Sequence, residues 1–282
     1  MPRFRADRLA TLYLFRPLGP VFGRVSPSVP ILMYHSISMT DEPRCRPYFR
    51  TVTHPRVFRR HLEILARNGY RTATLATAGE RLRNSSAAPE KLVVLTFDDG
   101  YADFCSEAFP LLSRYSCTAS VFLPTSYIAN QPRYFGDTAC LTWSQVRELH
   151  RAGVEFGSHT MTHPQLAELP GAEVERELKA SKAEIEDRIG AAVASFAYPF
   201  AFPGHRPGFR QTLNRQLSDA GYLAGVCTTV GIASSRSDPF FMERLPVNTL
   251  DDDALFEAKL AGAYDWLGQA QRLYKRCKRW RY

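Results

Sequence analysis

The sequence predicts an α/β protein in which helices cover a parallel sheet, either open or closed as a barrel. Short apolar runs of buried-strand length recur along the chain, and amphipathic helical patterns separate them. With 282 residues, 45% of them hydrophobic and 23% charged, the chain can bury a full core. The same composition excludes disordered, collagen-like and coiled-coil proteins. Enzymes of this architecture carry their chemistry at the carboxyl ends of strands, so functional residues are expected there.

The strand candidates are short apolar runs that are partly β-branched. They are residues 29–37, 91–97, 118–124, 154–159, 195–200 and 222–229. Helices are predicted at about residues 55–68, 101–115, 142–152, 171–189 and 210–220. In the first helix Phe58, Leu62 and Leu65 form one apolar stripe, and Gly69 is placed to end it. Thr142 and Gln145 have the spacing of a capping box, which predicts the start of the third.

Charge and cysteine usage narrow the function classes. The net charge is +8, but residues 1–24 carry +4 and residues 272–282 carry +6, which leaves −2 on the body. A mildly acidic body argues against a nucleic-acid partner. The six cysteines form no CxxC pair and no zinc-finger spacing, which predicts reduced thiols and a cytoplasmic location. No apolar run reaches the roughly 20 residues of a membrane-spanning helix, and a secretory signal is not expected.

Two adjacent carboxylates follow the predicted strand at residues 91–97. Asp98 and Asp99 precede Gly100, and two such groups at a strand end repel each other and lose hydration. The pair is therefore costly unless a cation or hydrogen-bond donors hold it. The alternative is an Asp-Asp-Gly turn in which one carboxylate caps the next helix.

A second cluster follows the predicted strand at residues 154–159. His159 and His163 are four residues apart and can reach one point if the chain between them coils by about one turn. Two histidines and one carboxylate, with an open water position, are typical of a catalytic zinc site. An HxxxH spacing alone is more often a surface or core pair, but together with Asp98 and Asp99 it predicts a metal centre.

The residues at these strand ends resemble a known enzyme family. LTFDDGY at Leu95–Tyr101, SHTMTH at Ser158–His163 and AYPF at Ala197–Phe200 resemble the motifs of the polysaccharide deacetylases with a NodB-homology domain, a carbohydrate esterase family 4-like group. The resemblance spans about residues 91–250, and the strand LMYHSI resembles the branch that processes poly-N-acetylglucosamine. It implies a distorted (β/α) barrel of about seven parallel strands in a single domain, here residues 29–262.

The resemblance also implies a reaction and a set of residue roles. Asp99, His159 and His163 would hold a divalent metal, most simply Zn²⁺, and Asp98 would act as general base. The reaction would remove N-acetyl groups from a polysaccharide or a lipid-linked saccharide. The backbone N–H of Tyr198 would help to hold the oxyanion. A catalytically silent, glycan-binding relative is the alternative function.

Two family residues are absent from this chain. The arginine that orients the base is replaced by Ala197, and Arg244, at another predicted strand end, is the candidate substitute; a structural ion pair is the alternative role. The late histidine that acts as general acid is also missing. His35, at the end of the first strand, or His205, in a later loop, could replace it.

The two chain ends are expected to form separate basic segments. Residues 1–28 are predicted to be a basic arm, and residues 263–282 a basic amphipathic helix. The predicted apolar face of that helix consists of Trp266, Ala270, Leu273, Cys277 and Trp280. Such a helix could bind an anionic membrane surface, with the protein peripheral at the inner membrane face. The alternative is a helix docked on the domain.

Overall fold

The central sheet is a closed parallel barrel. The computed structural model describes residues 5–18, 27–42, 45–84 and 91–278. The parallel strands are β1 (Ile31–Tyr34), β2 (Tyr70–Ala73), β3 (Lys91–Phe97), β4 (Ser120–Leu123), β5 (Glu155–Ser158), β6 (Ser195–Ala197), β7 (Ala224–Val230) and β8 (Met242–Pro246). Seven of them close a ring in the order β1, β8, β7, β6, β5, β4 and β3, and β3 pairs back onto β1. β2 pairs only with the first half of β3. The predicted barrel of about seven parallel strands is confirmed.

Helices surround this barrel. They are α1 (Pro55–Arg67), α2 (Leu75–Arg83), α3 (Phe109–Arg114), α4 (Trp143–Arg151), α5 (Gly171–Ile189), α6 (Pro207–Asp219), α7 (Asp253–Leu260) and α8 (Trp266–Lys278). Residues 6–18 form an additional helical region, called the N-terminal segment below, with a π-helical turn at Thr11–Phe15. A second π-helical turn, Phe104–Ala108, leads into α3.

Most predicted elements are present, and β3 and α5 have the predicted bounds. The predicted capping box starts α4: the Thr142 N–H donates to Gln145 Oε1 at 2.9 Å and the Gln145 N–H to Thr142 Oγ1 at 3.4 Å. The first predicted strand is divided, because Pro30 has no N–H to donate and His35 interrupts the pairing. β2 and α2 were not predicted, since neither has a strong apolar period.

The barrel interior changes from apolar to polar along its axis. At the amino-terminal mouth, α2 contributes to an apolar cluster with strand side chains that include Ile31, Val94, Phe122, Val226 and Met242. Alternate residues of a strand share a face, so Thr96 and Asp98 follow Val94 into the interior and Arg244 follows Met242. Because this apolar cluster fills the amino-terminal mouth, polar side chains of the interior can meet a ligand at the carboxyl mouth.

The N-terminal segment is docked on the domain, unlike a free basic arm. Arg5 is only 8% exposed, and its Nη1 donates to Asp251 Oδ1 at 2.8 Å just before α7. The Tyr264 hydroxyl donates to Asp7 Oδ2 at 2.7 Å. Part of the terminal positive charge is therefore neutralised inside the protein, where it stabilises the docked segment.

The first turns of α8 are docked as well. Trp266 stacks on Phe15 with ring centroids 4.9 Å apart, and its Nε1 donates to Thr11 Oγ1 at 3.0 Å. Gly268 lies so close to β7 that a Cβ there would meet the Val230 carbonyl oxygen at 1.9 Å. The prediction of a free apolar face starting at Trp266 is therefore wrong, because that side chain faces the protein. Cys277 and Trp280 of that face lie outside the described side chains.

The described part of α8 gives no support to attachment at a membrane surface. Ala270 and Leu273 are exposed, but Trp266, the aromatic anchor of the predicted membrane-binding face, is used in docking. Among the described residues, no helix combines the length and apolar character needed to cross a bilayer.

Candidate active site

The predicted functional side chains meet at the carboxyl mouth of the barrel. Asp98 and Asp99 follow β3, and His159 follows β5. His35 follows β1 on the neighbouring side of the ring, and Arg244 points into the interior from β8. Because all barrel strands are parallel, their carboxyl ends form one rim, and the topology collects residues far apart in sequence.

Asp99, His159 and His163 form a compact set of potential metal ligands. Asp99 Oδ1 lies 3.6 Å from His159 Nε2 and 3.4 Å from His163 Nε2. One ligand atom from each of the three lies within 4.8 Å of the other two. Asp99 Oδ1 is buried and has no hydrogen-bond partner among the described residues. A buried carboxylate oxygen without a donor is costly unless a cation faces it, so the three residues fit a divalent ion.

The two imidazoles are held in the form that binds metals. Burial lowers the pKa of His159 to about 4 and that of His163 to about 4. Both rings are therefore neutral at neutral pH, and a neutral ring nitrogen is a metal ligand. His159 Nδ1 lies 2.8 Å from the Ala197 carbonyl oxygen. A proton on Nδ1 satisfies that carbonyl and leaves the lone pair of Nε2 free to coordinate.

The ligand loops contain unusual backbone conformations. Asp99, Thr160 and His163 have φ values of 69°, 69° and 55°, in the left-handed region that non-glycine residues rarely adopt. Such conformations persist only where neighbouring contacts over-determine them, and they cluster at functional sites. At Thr160 the N–H donates to Ser158 Oγ at the end of β5 at 3.0 Å, and at His163 the N–H donates to Thr160 Oγ1 at 3.0 Å.

Glu177 of α5 anchors the loop between the two histidines. Its carboxylate accepts hydrogen bonds from the N–H groups of Met161 (2.7 Å) and Thr162 (3.0 Å) and from Thr162 Oγ1 (2.8 Å). Glu177 is only 4% exposed. The sequence analysis missed this residue because nothing in a helical pattern shows which glutamate faces a loop that precedes the helix.

We expect Glu177→Gln to weaken divalent metal binding by about 10- to 100-fold, as typically follows loss of a partner that orients the ligands. Both loop N–H groups donate to Oε2, and the neutral oxygen of an amide accepts them more weakly than a carboxylate does. The amide NH2 in the Oε1 position cannot accept from Thr162 Oγ1, so the histidine pair loosens. Competition between the protein and a chromogenic chelator measures the affinity. Glu175→Gln is the matched control, because Glu175 is exposed on the same helix and pairs only with Lys179 among the described contacts. Unchanged affinity in the folded Glu177→Gln protein contradicts the anchoring role.

Arg244 forms a buried, two-pronged ion pair with Asp98. Its Nη1 and Nη2 lie 2.7 Å and 2.8 Å from Asp98 Oδ1 and Oδ2. Nη1 also donates to Thr96 Oγ1 at 3.2 Å, and Nε to the Cys227 carbonyl at 3.1 Å. Burial by itself raises the pKa of Asp98, but the Arg244 guanidinium reverses the effect and holds that pKa well below its usual range. Asp98 is thus ionised and held in one orientation, although Ala197 stands at the family's arginine position.

We expect Arg244→Met to reduce the free energy of unfolding by about 3–5 kcal/mol, because Asp98 is left as an unpaired buried charge. Chemical denaturation of the wild type, Arg244→Met, Asp98→Asn and the double variant gives the coupling energy of the pair. The double variant should recover part of the loss. Arg59→Met is the control, since Arg59 is half exposed and lies 3.7 Å from Glu63. A loss no larger than that of the control contradicts the buried pair.

The two histidines considered as general acid, His35 and His205, lie in different parts of the structure. His35 Nε2 lies 4.0 Å from Asp98 Oδ2, and its side chain is 19% exposed. His205 lies in a cleft of about 270 Å³ that it shares with Tyr198 and Glu168. His35 is therefore the histidine that the fold brings to the base carboxylate.

The expectation that the Tyr198 amide holds an oxyanion is wrong. The Tyr198 N–H donates to the Val226 carbonyl at 2.9 Å, as the parallel pairing of β6 with β7 continues through this residue. Its buried ring packs edge-on against Phe202. Tyr198 is thus part of the sheet and the core, and its amide is not available to a substrate.

Phe200, two residues later, lies at the site instead. It has a φ of 57°, and its ring centroid is 4.5 Å from that of His163. Among the hydrogen bonds of the described residues, none uses the Phe200 N–H. The Phe135 ring is also close to His163, with ring centroids 4.9 Å apart. The available sequence signal for Phe200 was its place at the end of the AYPF motif, directly after Pro199.

Comparison with known proteins points to the same family as the strand-end motifs. Residues 85–224 match the polysaccharide deacetylase family model. YxkH of Bacillus subtilis (strain 168), which carries the same family name, is 29% identical over 220 residues, 78% of this chain and 71% of YxkH. The poly-β-1,6-N-acetyl-D-glucosamine N-deacetylase of Escherichia coli (strain K12) is 40% identical over 106 residues, which are 34% of this chain and 16% of that protein.

A solved structure shares the fold over nearly its whole length. The Streptococcus pyogenes deacetylase PplD in complex with acetate superposes with a TM-score of 0.72 at 26% identity, over 83% of this chain and 98% of PplD. With its closed barrel, its strand-end motifs and these relatives, the chain belongs to the polysaccharide deacetylase family.

Proposed function

We propose that the protein is a metal-dependent N-deacetylase that hydrolyses the acetamide of an N-acetylhexosamine residue in a saccharide. The observation that carries the proposal is the placement of the oriented base Asp98 beside the ligand set of Asp99, His159 and His163 at one barrel mouth. The names of the relatives, a poly-N-acetylglucosamine deacetylase and chitooligosaccharide deacetylases among them, support this substrate class.

The chemistry requires a nucleophile, a place for negative charge and a proton for the amine. Asp99, His159 and His163 would hold a divalent ion, which would supply an activated water and polarise the acetyl carbonyl. Two imidazoles with a carboxylate are a donor set that suits Zn²⁺. Asp98 accepts the proton of the attacking water, and Arg244 keeps Asp98 ionised and oriented for that step. The Phe200 N–H, which none of the described hydrogen bonds uses, is the backbone donor proposed to stabilise the negative oxygen that forms.

His35 is the group proposed to deliver the proton. As the carbon–nitrogen bond breaks, the amine leaves only if it is protonated, and His35 Nε2 lies 4.0 Å from Asp98 Oδ2. Acetate then leaves with the oxygen of water, and the saccharide keeps a free amine. A side chain that is partly exposed and close to the base can exchange protons with both substrate and solvent.

We expect His35→Ala to lower turnover by about 100-fold while metal remains bound, in line with the 10²–10⁴-fold contributions of general acids. Turnover and metal content are measured on the same preparation. His150→Ala is the control, because His150 lies on the outer helix α4. Near-normal turnover of His35→Ala removes this histidine from the mechanism.

An acetate-release screen tests the proposed function. The metal-loaded protein is assayed against N-acetylglucosamine oligomers, peptidoglycan fragments and lipid-linked saccharides, with chelator-treated protein as the control. Release that depends on metal is the expected result. Stoichiometric metal binding without release from any substrate would favour the catalytically silent relative. That alternative gained its support from the missing arginine at position 197 and from the missing late histidine. The pairing of Arg244 with Asp98 removes the first of these grounds, and the His35→Ala variant tests the second.

A further inference from the structure

A large cavity lies beside the candidate active site and is open to it. Its volume is about 750 Å³, which is within the range of small-molecule binding sites. Barrel residues, the N-terminal segment and α8 all line it. His35 and Phe200 belong both to this cavity and to the catalytic mouth. A molecule in the cavity can therefore extend to the reacting centre.

The cavity wall is mainly apolar. Its apolar lining includes Met33, Phe49, Pro246, Val247, Trp266 and Leu267. Phe49 is 64% exposed and Phe200 is 50% exposed, so apolar side chains continue from the wall to the surface. A wall of this kind gains free energy by covering hydrocarbon.

The polar side chains of the wall have protein partners. Gln271 Nε2 donates to the Tyr48 hydroxyl at 2.9 Å, and Gln271 Oε1 accepts from the Val230 N–H at 3.0 Å. Thr228 Oγ1 donates to the Phe200 carbonyl at 2.9 Å. These hydrogen bonds hold α8 and the loop after β6 in place, so the same groups are not free to bind a ligand.

The remaining charged groups of the wall are paired too. Arg5 and Tyr264 donate to Asp7, and Arg50 Nη1 pairs with Asp41 at 2.9 Å. The buried Nε of Arg50 has no partner among the described residues, and His35 Nε2 lies 4.0 Å from Asp98 Oδ2. A sugar ring placed here would lose water from its hydroxyls and find few free donors or acceptors. A hydrocarbon chain has no such cost.

The cavity is built largely from parts of the chain outside the shared family segment. Phe200 and Ala201 lie within the matched residues 85–224, whereas the N-terminal segment, residues 48–51, Thr228, β8 and α8 lie outside them.

We propose that this cavity binds the hydrocarbon part of an amphiphilic substrate, a lipid-linked saccharide whose acetamide lies at the catalytic mouth. The inference rests on the proposed function for the reaction, but the hydrocarbon site itself is a statement about binding. It predicts that affinity rises with the alkyl chain of the ligand, whether or not the ligand is hydrolysed.

The test compares methyl and octyl N-acetyl-β-glucosaminide by calorimetry, with the octyl compound below its critical micelle concentration. Since each buried methylene is worth about 0.8 kcal/mol, the octyl compound should bind at least about 100-fold more tightly. Ala10→Trp, which fills the cavity from the N-terminal segment, should abolish the gain. Leu9→Trp is the matched control, because Leu9 is 39% exposed and does not line the cavity.

Equal affinities of the two compounds, or a gain that survives Ala10→Trp, would overturn the proposal. So would an N-acetylglucosamine pentamer whose binding is weakened by Ala10→Trp, because the cavity would then hold sugar rings. Acetate release measured in parallel keeps the two proposals apart. If acetate is released but affinity does not rise with the alkyl chain, the proposed reaction stands and the hydrocarbon site is ruled out. If affinity rises with the alkyl chain but no acetate is released, the hydrocarbon site stands and the proposed reaction is ruled out.

Discussion

Asp98→Asn is expected to lower turnover by about 100-fold or more while the protein keeps its bound metal. Asparagine has nearly the same shape as aspartate but cannot accept a proton at neutral pH, so the variant removes the base and little else. The change also leaves Arg244 without its carboxylate partner, so some loss of stability accompanies the loss of rate. Turnover is measured by acetate release, and metal content by elemental analysis of the same sample.

Asp137→Asn is the matched control for this variant. Asp137 is an exposed aspartate of the loop after Phe135, so the same chemical change there should leave turnover unchanged. If Asp98→Asn retains turnover within about 10-fold of the wild type, Asp98 is not the general base. Loss of metal in Asp98→Asn would instead assign Asp98 to the ligand set.

The second large effect is expected from His159→Ala, which should make metal binding substoichiometric and reduce acetate release to background. His159 is only 2% exposed, and its Nδ1 is held by the Ala197 carbonyl, so no neighbouring side chain can take its place. Asp99→Ala and His163→Ala should act in the same direction. The missing ligand cannot be replaced by water without loss of affinity in a site with only three protein donors.

Thermal unfolding gives a readout that does not depend on turnover. A ligand present at 100 times its Kd stabilises the folded state by about 2.7 kcal/mol, so added Zn²⁺ should raise the Tm of the wild type. The same addition should leave the Tm of His159→Ala unchanged, while His150→Ala should respond as the wild type does. One tightly bound ion per chain in all three ligand variants would end the assignment of the metal site.

The ligand positions could be predicted because they depend on local order along the chain. A strand followed at once by Asp98 and Asp99, and another followed by His159, place these groups at a common edge whenever the strands are parallel. The capping box of Thr142 and Gln145 and the bounds of β3 and α5 are local features of the same kind. Helical or strand periodicity carries that information within a window of a few residues.

The partners of these groups could not be predicted with the same security. For Arg244 the sequence left two roles open, orientation of the base carboxylate or a structural ion pair. Only closure of the ring brings β8 and β3 to either side of β1, so that their inward side chains meet. Glu177 was missed because its carboxylate accepts hydrogen bonds from a loop that lies 15 residues earlier in the chain. The Tyr198 amide was misjudged because a parallel neighbour, β7, extends its pairing by one residue.

Local patterning in the chain is thus sufficient for the alternation of strands and helices, for the barrel class and for the four acidic and imidazole groups at the strand ends. The pairing of Asp98 with Arg244, the docking of the N-terminal segment and of α8, and the apolar cavity between them depend on contacts between residues more than 100 positions apart. Such contacts form only when the whole sheet has closed and its register is set. Local sequence patterns do not show which distant side chains will then lie next to each other.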